Sequence, residues 1–434
     1  MRKVLMISPH FPPDSSAAAH RVRLLAPHLP SAGWQPTVVT VEPEGYEGRL
    51  DPDLATLVPT SIDVVRAPAW PARWTRRIGV GDLGIRAFSG LRRTCRALLA
   101  RDRFDALFIT VYPVYPALLG PRLKAEFGVP FVLDYQDPWV GEWGRSVGGR
   151  ANGAPDWKSR ASRRLGEWLE PRAVRAADAL VAVSQGTIDG VVRRIQVSPA
   201  VPCDVIPLGF EPADFVHVRT NPHAGASFDG ADGMVHLCYV GTLLPTGVET
   251  LRLLFRALQR VRSIDAVGAR LRLHFFGTSN QVDADRLRVM PLAHECQVND
   301  VVSEAPGRLD YLDALAVLVR ANGVLLLGNS EPHYTASKVG PALLAQRPIL
   351  ALYHEQSSVI SILSAAGRAP SIRIVAYGSN IVTAPRIDEV ALHLLALARG
   401  QSYNAADVDL KRAEAFSAEQ LSHKLAGILN RVAA

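Results

Sequence analysis

Cysteine is scarce in this chain: four residues in 434, at positions 95, 203, 238 and 296, with no Cys-x-x-Cys pair. That spacing excludes a disulfide framework and a thiolate metal cluster as organising devices, and it predicts free thiols in a reducing cytoplasm. Long apolar runs are also missing. After Met1-Arg2-Lys3 the apolar run 4–7 stops at Ser8-Pro9, too short for the core of a signal peptide, and no segment reaches the roughly 18 apolar residues of a membrane span. The expectation is a chain neither exported nor inserted. No helix-turn-helix, zinc-finger or RNA-binding signature is present, so nucleic acid is not an expected partner. Neither half has a first strand followed by Gly-x-Gly-x-x-Gly with an acid about 20 positions on, which argues against a nicotinamide-dependent oxidoreductase.

What is present is a globular composition, 48% hydrophobic and 21% charged, long enough for two ordinary domains with full cores. The net charge of +7 is unevenly spread. Between Arg66 and Arg103 stand ten arginines against two acids, Asp82 and Asp102, interleaved with Trp70, Trp74, Ile78, Ile85, Phe88 and Leu91. Part of that stretch reads as a basic amphipathic helix for an anionic bilayer; the other reading is a solvated basic helix face.

Strand and helix patterns alternate. Apolar strands are expected at 4–8, 34–41, 62–66, 106–110, 131–135, 179–184 and 203–206. Asp14-Ser15-Ser16 is expected to cap a helix whose Val22, Leu25, Ala26 and Leu29 share one face. A polar interval at 212–233 interrupts the pattern, and strands resume at 235–240, 271–276, 301–303, 323–327 and 349–353. The expected organisation is an α/β chain with a Rossmann-like domain at 1–211, a linker at 212–233, a second such domain at 234–404 and a helical tail at 405–434. Residues 148–153, with three glycines, have the composition of a mobile loop.

The segment 328–348 is the most informative. It follows the apolar strand 323–327, so Glu331 to Lys338 lie outside the carboxyl end of a strand, where open α/β sheets bind ligands. Glu331 can accept sugar hydroxyls and Lys338 can meet phosphate, while Thr335 and Ser337 are placed to cap the next helix and leave its amides facing an anion. The combination suits a phosphorylated sugar.

Five phrases in order carry a resemblance: His10-Phe11-Pro12-Pro13 after the first strand, Ala177-Asp-Ala-Leu-Val-Ala-Val-Ser184, Val205-Ile-Pro-Leu-Gly-Phe210, Tyr239-Val-Gly-Thr242 and the Glu331-Pro332 loop. Together they resemble the retaining GT-B glycosyltransferases of family 4 over nearly the whole chain. The resemblance implies two Rossmann-like domains facing a cleft, with the terminal helix crossing back to the first. It implies a nucleotide-sugar donor on the C-terminal domain and a glycan, lipid-linked or small-molecule acceptor on the N-terminal one. No metal and no cofactor are implied, the nucleotide-sugar being a substrate. The chemistry requires positioning and positive charge around a departing diphosphate.

Carried onto this sequence, the family pattern makes Glu331 the donor-sugar contact and Lys338 a diphosphate partner, with Asp137 orienting the acceptor. Donor contacts are implied for Ser16, Arg21, Gly241, Thr242, Gly277, Arg308, His333, Thr335, Ser337 and Val339, and acceptor contacts for His10 and Trp139. Each has a plainer reading as well: a helix cap at 14–16, a turn-starting Asp before Pro at 137, a hydrogen-bonded structural histidine at 10. The pattern also breaks. The family's second Glu, which holds the ribose, falls on Val339, leaving Glu355 as a substitute; the basic pair after the first strand of the second domain is replaced by Thr242 and Thr246. A GT-B-fold sugar-nucleotide epimerase or a non-catalytic partner subunit therefore stays open. Asp283 and Asp285 match an Asp-x-Asp motif but read as a solvated first helical turn.

Overall fold

The computed structural model describes residues 1–140, 157–221, 228–279, 287–330 and 338–434. The chain forms two compact units, one of residues 1–209 with 418–434 and the other of residues 210–417. Each is built on an all-parallel sheet with helices between its strands.

The first unit contains β1 (Arg2–Ile7), β2 (Trp34–Val41), β3 (Asp63–Ala67), β4 (Ala106–Thr110), β5 (Phe131–Tyr135), β6 (Ala179–Ala182) and β7 (Cys203–Val205), in the spatial order β3-β2-β1-β4-β5-β6-β7. The central strands are apolar throughout because both faces are covered; every residue of β4 and β5 is buried. Asp134 in β5 is the exception in character, and Arg21 answers it. Its Nε and Nη2 donate to the two carboxylate oxygens at 2.9 and 2.6 Å, and its Nη1 donates to the Pro207 carbonyl at 2.9 Å.

The helix Ala418–Val432 belongs to this unit. Its Leu421, Leu425, Ile428 and Leu429 recur at one-turn spacing and join Val4, Met6, Val22 and Leu29 in one buried cluster. Polar contacts fix it in place: Ser422 Oγ donates to the Leu25 carbonyl at 2.9 Å, Trp34 Nε1 to Asn430 at 3.1 Å and Lys424 Nζ to the Val205 carbonyl at 2.7 Å.

The second unit contains β8 (Val235–Val240), β9 (Leu271–Phe276), β10 (Val302–Ala305), β11 (Gly323–Leu327), β12 (Ile349–His354) and β13 (Ile372–Tyr377), ordered β10-β9-β8-β11-β12-β13. Both sheets therefore reverse their strand order at one point, between β1 and β4 in the first and between β8 and β11 in the second. Chain crossovers leave from opposite sides there, opening a crevice at the carboxyl ends.

Several expectations change against the structure. The interval 212–233 carries the helix Pro212–Thr220, which packs into the second unit through buried Phe215 and Val218; its buried Asp214 accepts from Tyr311 at 2.7 Å. Residues 405–417 also lie in the second unit. Asp14 and Ser16 do not cap the first helix, Ala19–Leu25, whose N-cap position is Ala18 with no side-chain cap. The edge strand β13 escaped the apolar-run criterion because Arg373 interrupts it. The basic stretch contributes a helix, Leu83–Arg101, but its apolar face is the core: Leu91, Cys95 and Leu98 are buried, and so is Arg86. The exposed apolar side chains come before it. Trp70, Trp74 and Ile78 are 58%, 54% and 79% exposed, around the short helix Ala72–Thr75 and the turn Arg76–Ile78. The loop at 148–153 lies outside the described residues.

Candidate functional site

Functional side chains gather at both switch points, around a cavity in the first unit and at converging strand ends in the second. In the first unit the segments following β1, β4 and β5 line a cavity of ≈ 790 Å³ that includes His10, Asp14, Tyr112, Asp137 and Trp139. His10 Nδ1 and Asp14 Oδ2 are 2.5 Å apart, and Ser16 Oγ donates to the same oxygen at 2.5 Å. Burial opposes ionisation of Asp14, but the hydrogen bond and charge of His10, with two bonds from Ser16, outweigh it and hold the carboxyl below its usual range. The imidazole has two phenol rings beside it, Tyr46 at 6.0 Å and Tyr112 at 5.5 Å between centroids. Asp137, just past β5, keeps solvent access, while the surrounding walls raise its carboxyl above the ordinary Asp value. Trp139 meets Tyr115 edge to face at 5.9 Å.

His10, Ser16, Asp137 and Trp139 are thus brought together in one cavity. The hydroxyl of Ser16, expected to meet donor phosphate, is committed to Asp14. Arg21 is not in this cavity. It is 2% exposed with its guanidinium held by Asp134, so its expected phosphate role is replaced by a structural one.

In the second unit the carboxyl ends of β8, β9 and β11 converge. Gly241 donates its N–H to the Phe276 carbonyl at 2.8 Å, Leu243 to that of Thr278 at 3.0 Å and Ser330 to that of Thr246 at 3.1 Å. Lys338 reaches into this convergence. Its Nζ donates to Tyr239 Oη at 2.5 Å and to the Thr242 carbonyl at 3.3 Å, and it sits 4.2 Å from the centroid of the Tyr239 ring. Burial pushes its amine down from 10.5 to about 7. Gly241 makes that reach possible: with φ at +128° it adopts backbone that other residues avoid, and a Cβ there would come within 2.3 Å of Lys338 Cε. Gly277, also at positive φ, lies beside it, a Cβ position being 3.8 Å from Gly241 Cα.

Gly241, Thr242, Gly277 and Lys338, all donor contacts implied by the resemblance, are neighbours. Arg308 follows β10, half-buried, and Glu355 follows β12. Val339 is buried at the start of the helix Val339–Leu344, whose N-cap position is Lys338 with no side-chain cap. Glu331, His333, Thr335 and Ser337 lie outside the described residues, as do Asp283 and Asp285. Glu304, four residues before Arg308, accepts from Thr278 Oγ1 at 2.5 Å and from the backbone amides of Arg288, Val289 and Met290. The sequence reading missed Asp14, Tyr112 and Tyr115 as cavity walls and Tyr239 as the partner of Lys338. Tyr112 and Tyr115 directly follow β4, so the rule placing ligands at switch strands was signal enough for them.

Residues 16–209 match the glycosyl transferase 4-like domain family. No curated protein matches the chain by sequence. Among solved structures, a glycosyltransferase from Rickettsia africae superposes with TM-score 0.58 at 12% identity, over 99% of this chain and 98% of its own. Anabaena HepE, in complex with UDP and glucose, gives 0.58 at 14% identity over 99% and 100%. The α,α-trehalose 6-phosphate synthase of Burkholderia multivorans gives 0.58 at 11% over 100% and 99%. Residues 16–209 thus match the glycosyl transferase 4-like domain within a chain of GT-B fold, and it is the GT-B glycosyltransferases of family 4 that the chain resembles.

Proposed function

We propose that the chain is a glycosyltransferase that moves a sugar, of hexose type, from a nucleotide-sugar to an acceptor hydroxyl, with retention of anomeric configuration and without a metal. The observation that carries this reading is the half-buried Lys338, held against Tyr239 at the switch point of the second sheet, in a chain whose residues 16–209 match the glycosyl transferase 4-like domain. The complex of HepE with UDP-glucose supports a nucleotide-sugar as donor. In the reaction the acceptor oxygen bonds to the anomeric carbon while the bond from that carbon to the diphosphate oxygen breaks. The hydroxyl proton passes to the departing diphosphate, and the nucleoside diphosphate leaves. Lys338 stabilises the diphosphate, Glu331 holds the donor sugar and Asp137 orients the acceptor.

Titration with UDP- and GDP-sugars tests this. Binding of one of them, with slow release of the nucleoside diphosphate in the absence of acceptor, is the expected result. Interconversion of the sugar without that release would make the chain an epimerase, and binding of neither a non-catalytic subunit; both outcomes overturn the proposal.

The same reading places the enzyme in the cytoplasm, at the inner membrane face, in polysaccharide assembly. No helix among the described residues is long and apolar enough to cross a membrane. Supporting peripheral contact are exposed Trp70, Trp74 and Ile78 beside exposed Arg73 and Arg77. Each basic residue near an anionic surface contributes ~1 kcal/mol, and the apolar side chains add insertion. Co-sedimentation with phosphatidylglycerol vesicles is expected, weakened by salt and by Trp74→Ala with Ile78→Ser. Equal sedimentation with pure phosphatidylcholine at high salt would count against it.

A further inference from the structure

The described walls of the first unit's cavity are aromatic and anionic. Tyr112, Tyr115 and Trp139 present rings, and four carboxylates, Asp14, Glu47, Asp82 and Asp137, stand against two guanidiniums, Arg86 and Arg163. Asp14 is paired with His10, and Glu47 accepts from Arg76 at 2.6 Å as well as from Arg86, so the excess negative charge rests on Asp82 and Asp137, which have no cationic partner among the described residues. Both guanidiniums are already engaged. Arg86 is 2% exposed and donates to the carbonyls of Gly81, Trp70 and Gly45 at 3.3, 3.0 and 2.9 Å and to Glu47 at 3.4 Å. Arg163 donates to Glu167 at 2.8 Å. His10 is paired with Asp14. A phosphate or carboxylate entering here would meet like charge with no uncommitted cation among the described walls to offset it. A neutral sugar meets what it needs. Its C–H faces lie on aromatic rings, and its hydroxyls donate to carboxylates in charge-assisted bonds. The volume of ≈ 790 Å³ falls in the range of small-ligand sites, ~300–1,000 Å³.

We infer that this cavity binds an uncharged saccharide and discriminates against phosphorylated and carboxylated sugars. Only the designation of that saccharide as the acceptor rests on the transferase reading. Tyr112 and Asp137 are the cavity's specificity residues: the tyrosine supplies a platform two-fifths exposed, and the exposed carboxylate on the cavity wall accepts hydrogen bonds from hydroxyls and repels anions.

Calorimetry with maltose, cellobiose and their octyl glycosides, against glucose 6-phosphate and glucuronate, is the test. At least one neutral saccharide should bind, with the charged sugars weaker by roughly tenfold or more. Tyr112→Ala and Asp137→Asn should each weaken neutral binding by roughly tenfold at unchanged Tm. Asp137→Lys should narrow or reverse the discrimination. Equal affinity of free and octyl forms would identify a soluble glycan as the source, and preference for the octyl forms a lipid-linked one. Charged sugars binding as well as neutral ones, no neutral saccharide binding, or both single variants binding like the wild type would each overturn the inference. Release of nucleoside diphosphate from the donor, measured on the same preparation, reports on the transferase reading separately.

Discussion

Arg21→Ala is expected to lower unfolding free energy by about 3–5 kcal/mol, because it leaves the Asp134 carboxylate buried without its partner. Both side chains are almost fully shielded, at 2% and 0% exposure, and the pair is bidentate. Asp134→Ala should cost about as much for the converse reason. The double substitution Arg21→Met with Asp134→Leu should recover most of the loss, since similar volume then fills the site with no ion to desolvate. Urea denaturation measures all three. Single variants within about 1 kcal/mol of wild type would show that the pair is not a structural link. If Arg21 met donor phosphate instead, its replacement would lower nucleotide affinity in a binding titration and leave stability nearly intact.

Lys338→Met should weaken donor binding by roughly tenfold to a hundredfold, the range for losing a hydrogen bond from a charged donor to an anion. The wild type should also show a pH signature. With its amine lowered to about 7, Lys338 is largely neutral above that pH in the free protein, while a diphosphate favours the ammonium. Binding above pH 7 must therefore take up a proton, and affinity should fall as pH rises from about 7. Calorimetry in two buffers of different ionisation enthalpy detects the uptake; its absence, or its persistence in Lys338→Met, would contradict the assignment. The stability effect has the opposite slope. The unfolded chain protonates this lysine below roughly pH 10.4, whereas the folded chain does so only near 7. The burial cost therefore develops as pH falls through that window and is fully present below it.

Much of the architecture was legible in the sequence. Strands 34–41, 106–110, 131–135, 235–240, 271–276 and 323–327 have the bounds that their apolar runs predict, because both faces of each parallel sheet are covered and every residue there tends to be apolar. Gly241, Thr242, Gly277 and Lys338 were legible as residues at or after the carboxyl ends of strands, where a doubly wound sheet binds ligands; that they adjoin one another came from the strand order. Less legible was what each polar group would do once placed. Asp14 and Ser16 carry the signature of a helix cap, yet they pair with His10, and a local pattern cannot reveal that competitor. Arg21 sits among residues that resemble a phosphate site, but a carboxylate 113 positions away claims its guanidinium.

The sequence alone determined the alternation of strand and helix, the two Rossmann-like halves and the positions after each strand where ligand-binding groups could stand. These follow from periodicity and burial, which are properties of neighbouring residues. Only the tertiary structure decided that the helix Pro212–Thr220 joins the second unit and the helix Ala418–Val432 the first. It alone decided that Lys338 crosses Gly241 to reach Tyr239, and that the cations around the first unit's cavity are already paired. Those outcomes depend on which distant groups share a buried space, where an unpaired charge is too costly to leave and the nearest partner, however remote in the chain, is the one that counts.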